Sequence, residues 1–169
     1  MKKLILLKWL VRYLWITGVL AMGVMLFSYL HFLFTGTLNA VVKINGVEVQ
    51  GMTIEKHILL LLIYFSLGLG LRAVFLLDDV LDYFKNLKPF SHSVIKNFNE
   101  IGVLFVVSAL ITGIPCFLLS GYFGNGIERT FSVTPGPIIM LICLGLFFMV
   151  LSELFKIAKA AKEENELTV

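Results

Sequence analysis

Four long apolar blocks constrain this fold more than any other feature of the chain. They cover residues 13–34, 57–77, 101–121 and 137–155, and each has about the 20 residues that cross a ~30 Å hydrocarbon core as a helix. Of the 169 residues, 59% are hydrophobic and 15% are charged, whereas soluble proteins average about 25% charged residues. We therefore predict one all-α membrane domain over residues 1–169, an antiparallel bundle of four transmembrane helices in which short links make sequential helices neighbours.

The distribution of basic residues predicts the orientation of these spans. Eleven of the 14 Lys and Arg residues fall before the first block, at or after the end of the second, or after the fourth: Lys2, Lys3, Lys8, Arg12, Arg72, Lys85, Lys88, Lys96, Lys156, Lys159 and Lys162. By the positive-inside rule, both termini are predicted to be cytoplasmic. The net charge of +3 is small and dispersed, which argues against direct binding of nucleic acid.

The link between the first two spans carries a β-hairpin signal at about residues 40–51, in the stretch "VVKINGVEVQG". Asn45-Gly46 suits a type I′ turn, because both central residues of that turn need a positive φ. An isolated hairpin is marginal in water, so we expect residues 130–134 of the other outer link to add a third strand. The prediction is a small extracytoplasmic β cap, which either shields the helices or acts as a ligand-sensing lid.

The opposite side is predicted to be helical beyond the membrane. Pro89 should end the extension of the second span, and Ser91 then has the position of an N-cap for a helix that begins near His92. The cytoplasmic tail, residues 156–169, should continue the fourth helix, with lysines that suit an anionic leaflet. Its acidic end is repelled by that leaflet and is left to meet a protein.

Two stretches carry a family resemblance: "NLKPFSHSVIKNFNEIG" and the ending "LSELFKIAKAAKEENELTV". With the four-span frame, they resemble a bacterial membrane-protein family known as domain of unknown function 2975. The Lys-Pro-Phe stretch before span three and the Glu-Asn-Glu-Leu-Thr-Val ending match that family, whereas Ala158 stands where a tail glycine is usual. The resemblance implies the bacterial cytoplasmic (inner) membrane. It also implies a soluble cytoplasmic regulator as partner, because members are often encoded beside a small helix-turn-helix protein.

These considerations give a predicted partner-binding surface in two parts. Its residues are Lys88, Pro89 and Phe90 in the link, and Glu163, Glu164, Asn165, Glu166 and Leu167 in the tail.

No catalytic constellation is evident, and we predict no enzyme activity, cofactor or metal. The three histidines, His31, His57 and His92, are scattered, and the sequence has no zinc-protease, phosphate-loop or nucleophile-elbow motif. His31 and His57 flank the same outer link, so they are candidates for either pH sensing or interfacial anchoring.

Two further pairs involve residues within the apolar blocks. Arg72 and Glu153 lie near the cytoplasmic ends of their spans, where they could form an interhelical ion pair or snorkel independently. Cys116 and Cys143 fall at similar depths and could form a bridge, or stay as free buried thiols.

The leading functional prediction is a regulatory or sensory membrane protein, in contact with the lipid bilayer and a cytoplasmic partner. The alternative is a small transporter or channel subunit, for which Arg72, Glu153, Ser66, Ser108 and Thr112 would be the pathway residues, or an immunity-type membrane protein. Homo-oligomerisation is left open.

Overall fold

The computed structural model describes residues 2–35, 43–44, 47–48, 54–87, 89–122 and 135–167. Within them the elements are α1 (Lys2–Thr35), β1 (Lys43–Ile44), β2 (Val47–Glu48), α2 (Ile54–Lys85), α3 (His92–Tyr122) and α4 (Pro135–Leu167). The four predicted spans lie in these four helices. Each helix has 31 to 34 residues, about 50 Å at 1.5 Å per residue, so every helix is longer than a hydrocarbon core requires.

Each of the four helices contains a stretch that is long and apolar enough to cross a membrane. The first helix is apolar around its whole circumference. Among its described residues, Val11 alone is buried. Large side chains such as Leu20, Val24 and Phe27 stay exposed, which is expected of a helix in contact with lipid. The chain is a multi-pass membrane protein.

Contacts between helix ends show that sequential helices run antiparallel, as predicted. Lys8 near the start of α1 contacts Asp82 near the end of α2. At the other end, the Tyr29 hydroxyl lies 3.2 Å from His57 Nδ1. Among the described helices, the α1 backbone comes within 8 Å of α2 and of no other helix, and α4 comes that close to α3 alone. The arrangement is therefore an open row rather than a closed ring.

The tightest packing lies at one end of this row, which we call the charged end: residues 2–12, 72–85, 92–100 and 152–167. One apolar cluster lies at and beside this end. Its buried side chains come from α2 and α3, and partly buried residues of α4 pack against them: Ala73, Leu76, Val80, Val94, Phe98 and Ile101, with Phe148, Leu151 and Phe155. Lipid supplies no hydrophobic force between helices, but water does. Val80, Val94 and Phe98 lie beyond the apolar blocks, where water drives this burial, and the cluster continues from them into the blocks at Ala73, Ile101 and Phe148.

Within the spans, α3 and α4 approach closely through two glycines. A Cβ added at Gly102 would lie 2.5 Å from Met149 Cγ and 2.6 Å from the Gly145 carbonyl oxygen, and one added at Gly145 would lie 2.7 Å from the Gly102 carbonyl oxygen. Small residues of this kind let helix backbones touch inside a membrane. This contact fixes the α3–α4 pair.

The hairpin region contains two strands of two residues each. They pair antiparallel, with Lys43 opposite Glu48 and Ile44 opposite Val47. Residues 45–46 and the predicted third strand at 130–134 lie outside the described residues. The ladder that the structure describes is thus a short hairpin, and the cap built on it stays a prediction.

Substitution of Gly102 should test the α3–α4 contact. We expect Gly102→Ala to lower the free energy of unfolding by about 1–3 kcal/mol, because the new methyl group meets backbone atoms that cannot move aside. Gly70→Ala is the matched control, since no atom lies within 4 Å of its added Cβ, and it should be neutral or stabilising by up to ~1 kcal/mol. Unfolding in mixed micelles measures both; equal effects would contradict the contact.

Candidate functional site at the charged end of the helices

Two ion pairs join α1 to α2. The Lys8 ammonium group contacts the Asp82 carboxylate, and Arg12 Nη2 donates to Asp78 Oδ2 at 3.1 Å. Residues four apart share one face of a helix, so both cations of α1 face both carboxylates of α2 in antiparallel order. Sequence reasoning missed this ladder, although the spacings Lys-x-x-x-Arg and Asp-x-x-x-Asp signal it.

Asp78 is held in this ladder by a single carboxylate oxygen. Oδ2 accepts from Arg12, while Oδ1 is buried and has no hydrogen-bond partner among the described residues. A buried carboxylate oxygen without a donor is costly. The Arg12 contact is therefore the interaction that makes this buried carboxylate tolerable.

A groove of about 210 Å³ lies beside the ladder, between α1 and α2. We call it the α1–α2 groove; its lining combines three basic with four apolar side chains, Lys8, Arg12 and Lys85 with Leu4, Ile5, Trp9 and Leu81.

The turn between α2 and α3 has an unusual backbone. Leu87 has a φ of +56°. This is a left-handed conformation that glycine adopts readily and that bulky residues seldom adopt. The amide of Leu87 donates to the Phe84 carbonyl at 3.2 Å, which closes the last turn of α2. The leucine side chain is 76% exposed, so the turn holds an apolar group outward.

The beginning of α3 follows the prediction. The Ser91 hydroxyl accepts from the Val94 amide at 3.3 Å, and the Ser91 carbonyl accepts from the Val94 and Ile95 amides at 3.1 and 3.3 Å. Ser91 is thus the N-cap, and α3 starts at His92, as predicted.

Phe155 of α4 is the centre of an aromatic cluster that joins the turn to the tail. Its ring centroid lies 5.7 Å from that of Phe84, 5.8 Å from that of Phe90 and 5.4 Å from that of Phe98. One residue of α4 therefore contacts α2, the turn and α3. Of the predicted link residues, Phe90 and its neighbour Pro89 are half-buried here, and Lys88 lies outside the described residues.

The predicted tail residues lie on the exposed last turns of α4. Lys159 pairs with Glu163 and Lys162 pairs with Glu166, each at 3.6 Å and with i,i+4 spacing, and Leu167 is 87% exposed. Glu164 and Asn165 are exposed on the same turns. The acidic turns begin eight residues beyond Phe155, about 12 Å along the helix.

The predicted pair between Arg72 and Glu153 is wrong. The Arg72 guanidinium group instead donates to Glu100 Oε1, from Nη2 at 2.7 Å and from Nε at 3.2 Å, and Glu153 is exposed on α4. In the open row α3 follows α2 directly, and the α2 and α4 backbones do not come within 8 Å of each other. A carboxylate of α3 is therefore the one within reach of Arg72.

Three hydroxyls that were candidates for a transport pathway bond to one another between α2 and α3. The Ser66 and Ser108 hydroxyls are 2.7 Å apart, and the Thr112 hydroxyl donates to Ser66 Oγ at 2.7 Å. Both serines also contact the opposite serine's carbonyl, at 3.0 and 3.2 Å. These bonds make the cluster a link between helices.

The remaining candidates are not brought together. His57 lies against Tyr29 and Phe32, His31 contacts Thr35, and His92 is exposed at the start of α3. The described residues contain no group of three or more His, Cys, Asp or Glu side chains that could hold a metal. Cys143 is a free, exposed thiol, and the Cys116 side chain lies outside the described part of the chain.

Removal of the Phe155 ring should weaken the packing of α4 on α2, on the turn and on α3. We expect Phe155→Ala to lower the free energy of unfolding by about 2–4 kcal/mol, since truncating a packed aromatic ring leaves a cavity. Phe147→Ala is the control, because Phe147 is exposed and contacts only Phe148 among the described rings. Thermal unfolding in detergent measures both variants. If Phe147→Ala destabilises the protein as much as Phe155→Ala does, the aromatic cluster does not contribute more to stability than an exposed ring.

Charge exchange should identify the partner of Arg72. Arg72→Glu and Glu100→Arg should each lower stability, and the double variant should recover about 0.5–1 kcal/mol, the range for a partly exposed pair. Arg72→Glu combined with Glu153→Arg should show no recovery. The readout is the melting temperature in one detergent. If stability recovers in the Arg72→Glu/Glu153→Arg variant and not in the Arg72→Glu/Glu100→Arg variant, Glu153 rather than Glu100 is the partner of Arg72.

The comparisons with known proteins agree with the resemblance seen in the two sequence stretches. A family described as proteins of unknown function, DUF2975, matches residues 37–169, a region that starts two residues after α1 and contains α2, α3 and α4 in full. No curated protein and no solved structure matches the chain. The chain belongs to the DUF2975 family.

Proposed function

We propose that this protein is a non-enzymatic regulatory or sensory protein of the bacterial cytoplasmic membrane that holds a soluble cytoplasmic protein at its charged end. The observation that supports this most is the packing of Phe90 on Phe155. It fastens the α2–α3 turn to α4 at the point where α4 leaves the apolar core. Turn and tail then form one surface, which a single partner can contact.

The chemistry of this surface suits a protein partner better than a lipid. Leu87 and Leu167 are exposed apolar side chains, and the last turns of α4 carry Glu163, Glu164 and Glu166. An anionic leaflet repels these carboxylates, whereas a basic protein surface attracts them. DNA-binding regulators have such basic surfaces, in agreement with the helix-turn-helix partner that the family resemblance implies.

The ion pairs along the tail support a preformed docking helix. Lys159–Glu163 and Lys162–Glu166 are i,i+4 pairs, each of which stabilises an exposed helix by about 0.3–0.5 kcal/mol. A helix that is already ordered loses less entropy on binding than a disordered segment does. We infer that the tail binds as a helix.

The orientation in this proposal places both termini in the cytoplasm, with the hairpin outside. The charged end holds most of the chain's Lys and Arg, the asymmetry that the positive-inside rule describes. In this orientation the hairpin strands, Lys43–Ile44 and Val47–Glu48, belong to an outer cap over the helices. The cap would shield the helix ends or sense a ligand, and α2 runs from there to the charged end.

The transporter or channel alternative has less support from the side-chain contacts. Ser66, Ser108 and Thr112 bond to one another, and Arg72 bonds to Glu100. Polar groups paired in this way stabilise helix packing. No contact among the described residues supports an immunity-type role.

A pull-down from native membranes in mild detergent tests the docking surface. The full chain should retain a soluble DNA-binding protein, and a chain that ends after Ala161 should lose it. Because truncation shortens the helix, a second variant, E163Q/E164Q/E166Q, removes the charges but keeps residues of similar helix propensity. We expect it to reduce retention as well, about fivefold or more if each carboxylate contributes a few tenths of a kcal/mol.

E153Q is the matched control, since Glu153 is an exposed acid on the same helix, two residues before Phe155. It should leave retention unchanged. Retention of the same partner by the full, truncated and triple-variant chains alike would rule out the tail as the docking site.

A further inference from the structure

We propose that the α1–α2 groove binds the phosphate headgroup of an anionic phospholipid. The groove is separate from the surface formed by the turn and the tail, so this proposal does not depend on the proposed function.

The charge of the groove is complementary to a phosphate. Its lining includes Lys8, Arg12 and Lys85 and contains no carboxylate. Asp78 and Asp82 contact Arg12 and Lys8 from α2, so they orient these two cations while remaining outside the lining. Asp79 lies near Lys8 as well, so the positive charge that the groove offers comes from Lys85 and from the donors of Arg12 that Asp78 does not use.

Donors remain for a second anion after the ion pairs are formed. Arg12 contacts Asp78 through Nη2, and its side chain is still 53% exposed. A guanidinium group has five N–H donors in a planar fork, which matches phosphate geometry. Lys85, in the last turn of α2, is exposed and adds an ammonium group. Both cations therefore leave donors in the same groove for a bound anion.

The depth and size of the groove fit a lipid headgroup. The groove ends at Arg12, directly before the apolar block of α1 that begins at residue 13, so it lies at the edge of the hydrocarbon layer. Trp9, 72% exposed, is a residue type enriched at that level. The groove has a volume of about 210 Å³. That suffices for a phosphoglycerol group, while the acyl chains stay outside.

The apolar part of the lining distinguishes a lipid from free phosphate. Leu4, Ile5 and Leu81 line the groove beside its cations, and Ile16 and Val19, four and seven residues beyond Arg12 on the same face of α1, continue an exposed apolar surface. Acyl chains can pack along this surface when the phosphate is bound by the cations of the groove. Basic pockets between membrane helices bind anionic headgroups in this manner.

Native mass spectrometry of the full chain, with phosphatidylglycerol or phosphatidylcholine added in equal amounts, tests the proposal. The protein should retain phosphatidylglycerol in preference to phosphatidylcholine. Lys85→Gln should reduce its retention about fivefold, the factor that one basic residue near an anionic lipid contributes. Lys85 has no ion pair among the described residues, so this variant leaves the Lys8–Asp82 and Arg12–Asp78 pairs in place.

Lys96→Gln is the matched control: Lys96 is an exposed lysine of the charged end, on α3 and away from the groove. It should not change retention. An equal loss in both variants would show attraction by overall charge and overturn the proposal, as would equal retention of the two lipids. In a third arm, inorganic phosphate replaces the lipid; thermal stabilisation by phosphate that phosphatidylglycerol does not increase would overturn the lipid as the occupant.

Discussion

Apolar packing at the charged end is the interaction on which the rest of the structure depends. Helices of more than 30 residues outlast the hydrocarbon layer, and water then drives their projecting apolar faces together. Phe98 and Phe155 are the centre of that contact. Inside the membrane this force is absent, and the helices are held by other means: the close approach of Gly102 to Gly145 and the bonds between Ser66 and Ser108.

This division explains why α1 stands apart. The core at the charged end is formed by α2, α3 and α4, and the family match also begins after α1. Helix α1 adds mainly lipid-facing apolar surface. It contacts α2 through the Lys8 and Arg12 pairs at one end, through the Tyr29–His57 contact at the other, and through Trp15 on Phe75 between them. Such contacts fix direction and register with little burial.

The sequence predicted the elements well and their contacts poorly, for a physical reason. Length and apolarity are enough to place a spanning helix, and an N-cap such as Ser91 is a local signal. Which side of a helix packs against its neighbours is harder to predict, because a helix that is apolar on all sides does not reveal which side meets protein. For this reason the sequence offers Glu153 as a candidate partner of Arg72, whereas the structure pairs Arg72 with Glu100. Charged residues four apart, such as Lys8 and Arg12, do carry facing information, and the ladder could have been read from them.

The last turns of α2 connect the two surfaces that we assign to lipid and to protein. Leu81 and Lys85 line the α1–α2 groove, while Phe84, between them in the chain, packs on Phe155. Residues 81 and 85 share a helix face, and residue 84 lies about 100° from residue 85 around the axis. The groove and the aromatic cluster therefore occupy neighbouring faces of a single helical turn. A shift of α1 reaches the other described helices through α2, because α1 approaches no other described helix, and this turn is a place where α2 contacts α4 directly.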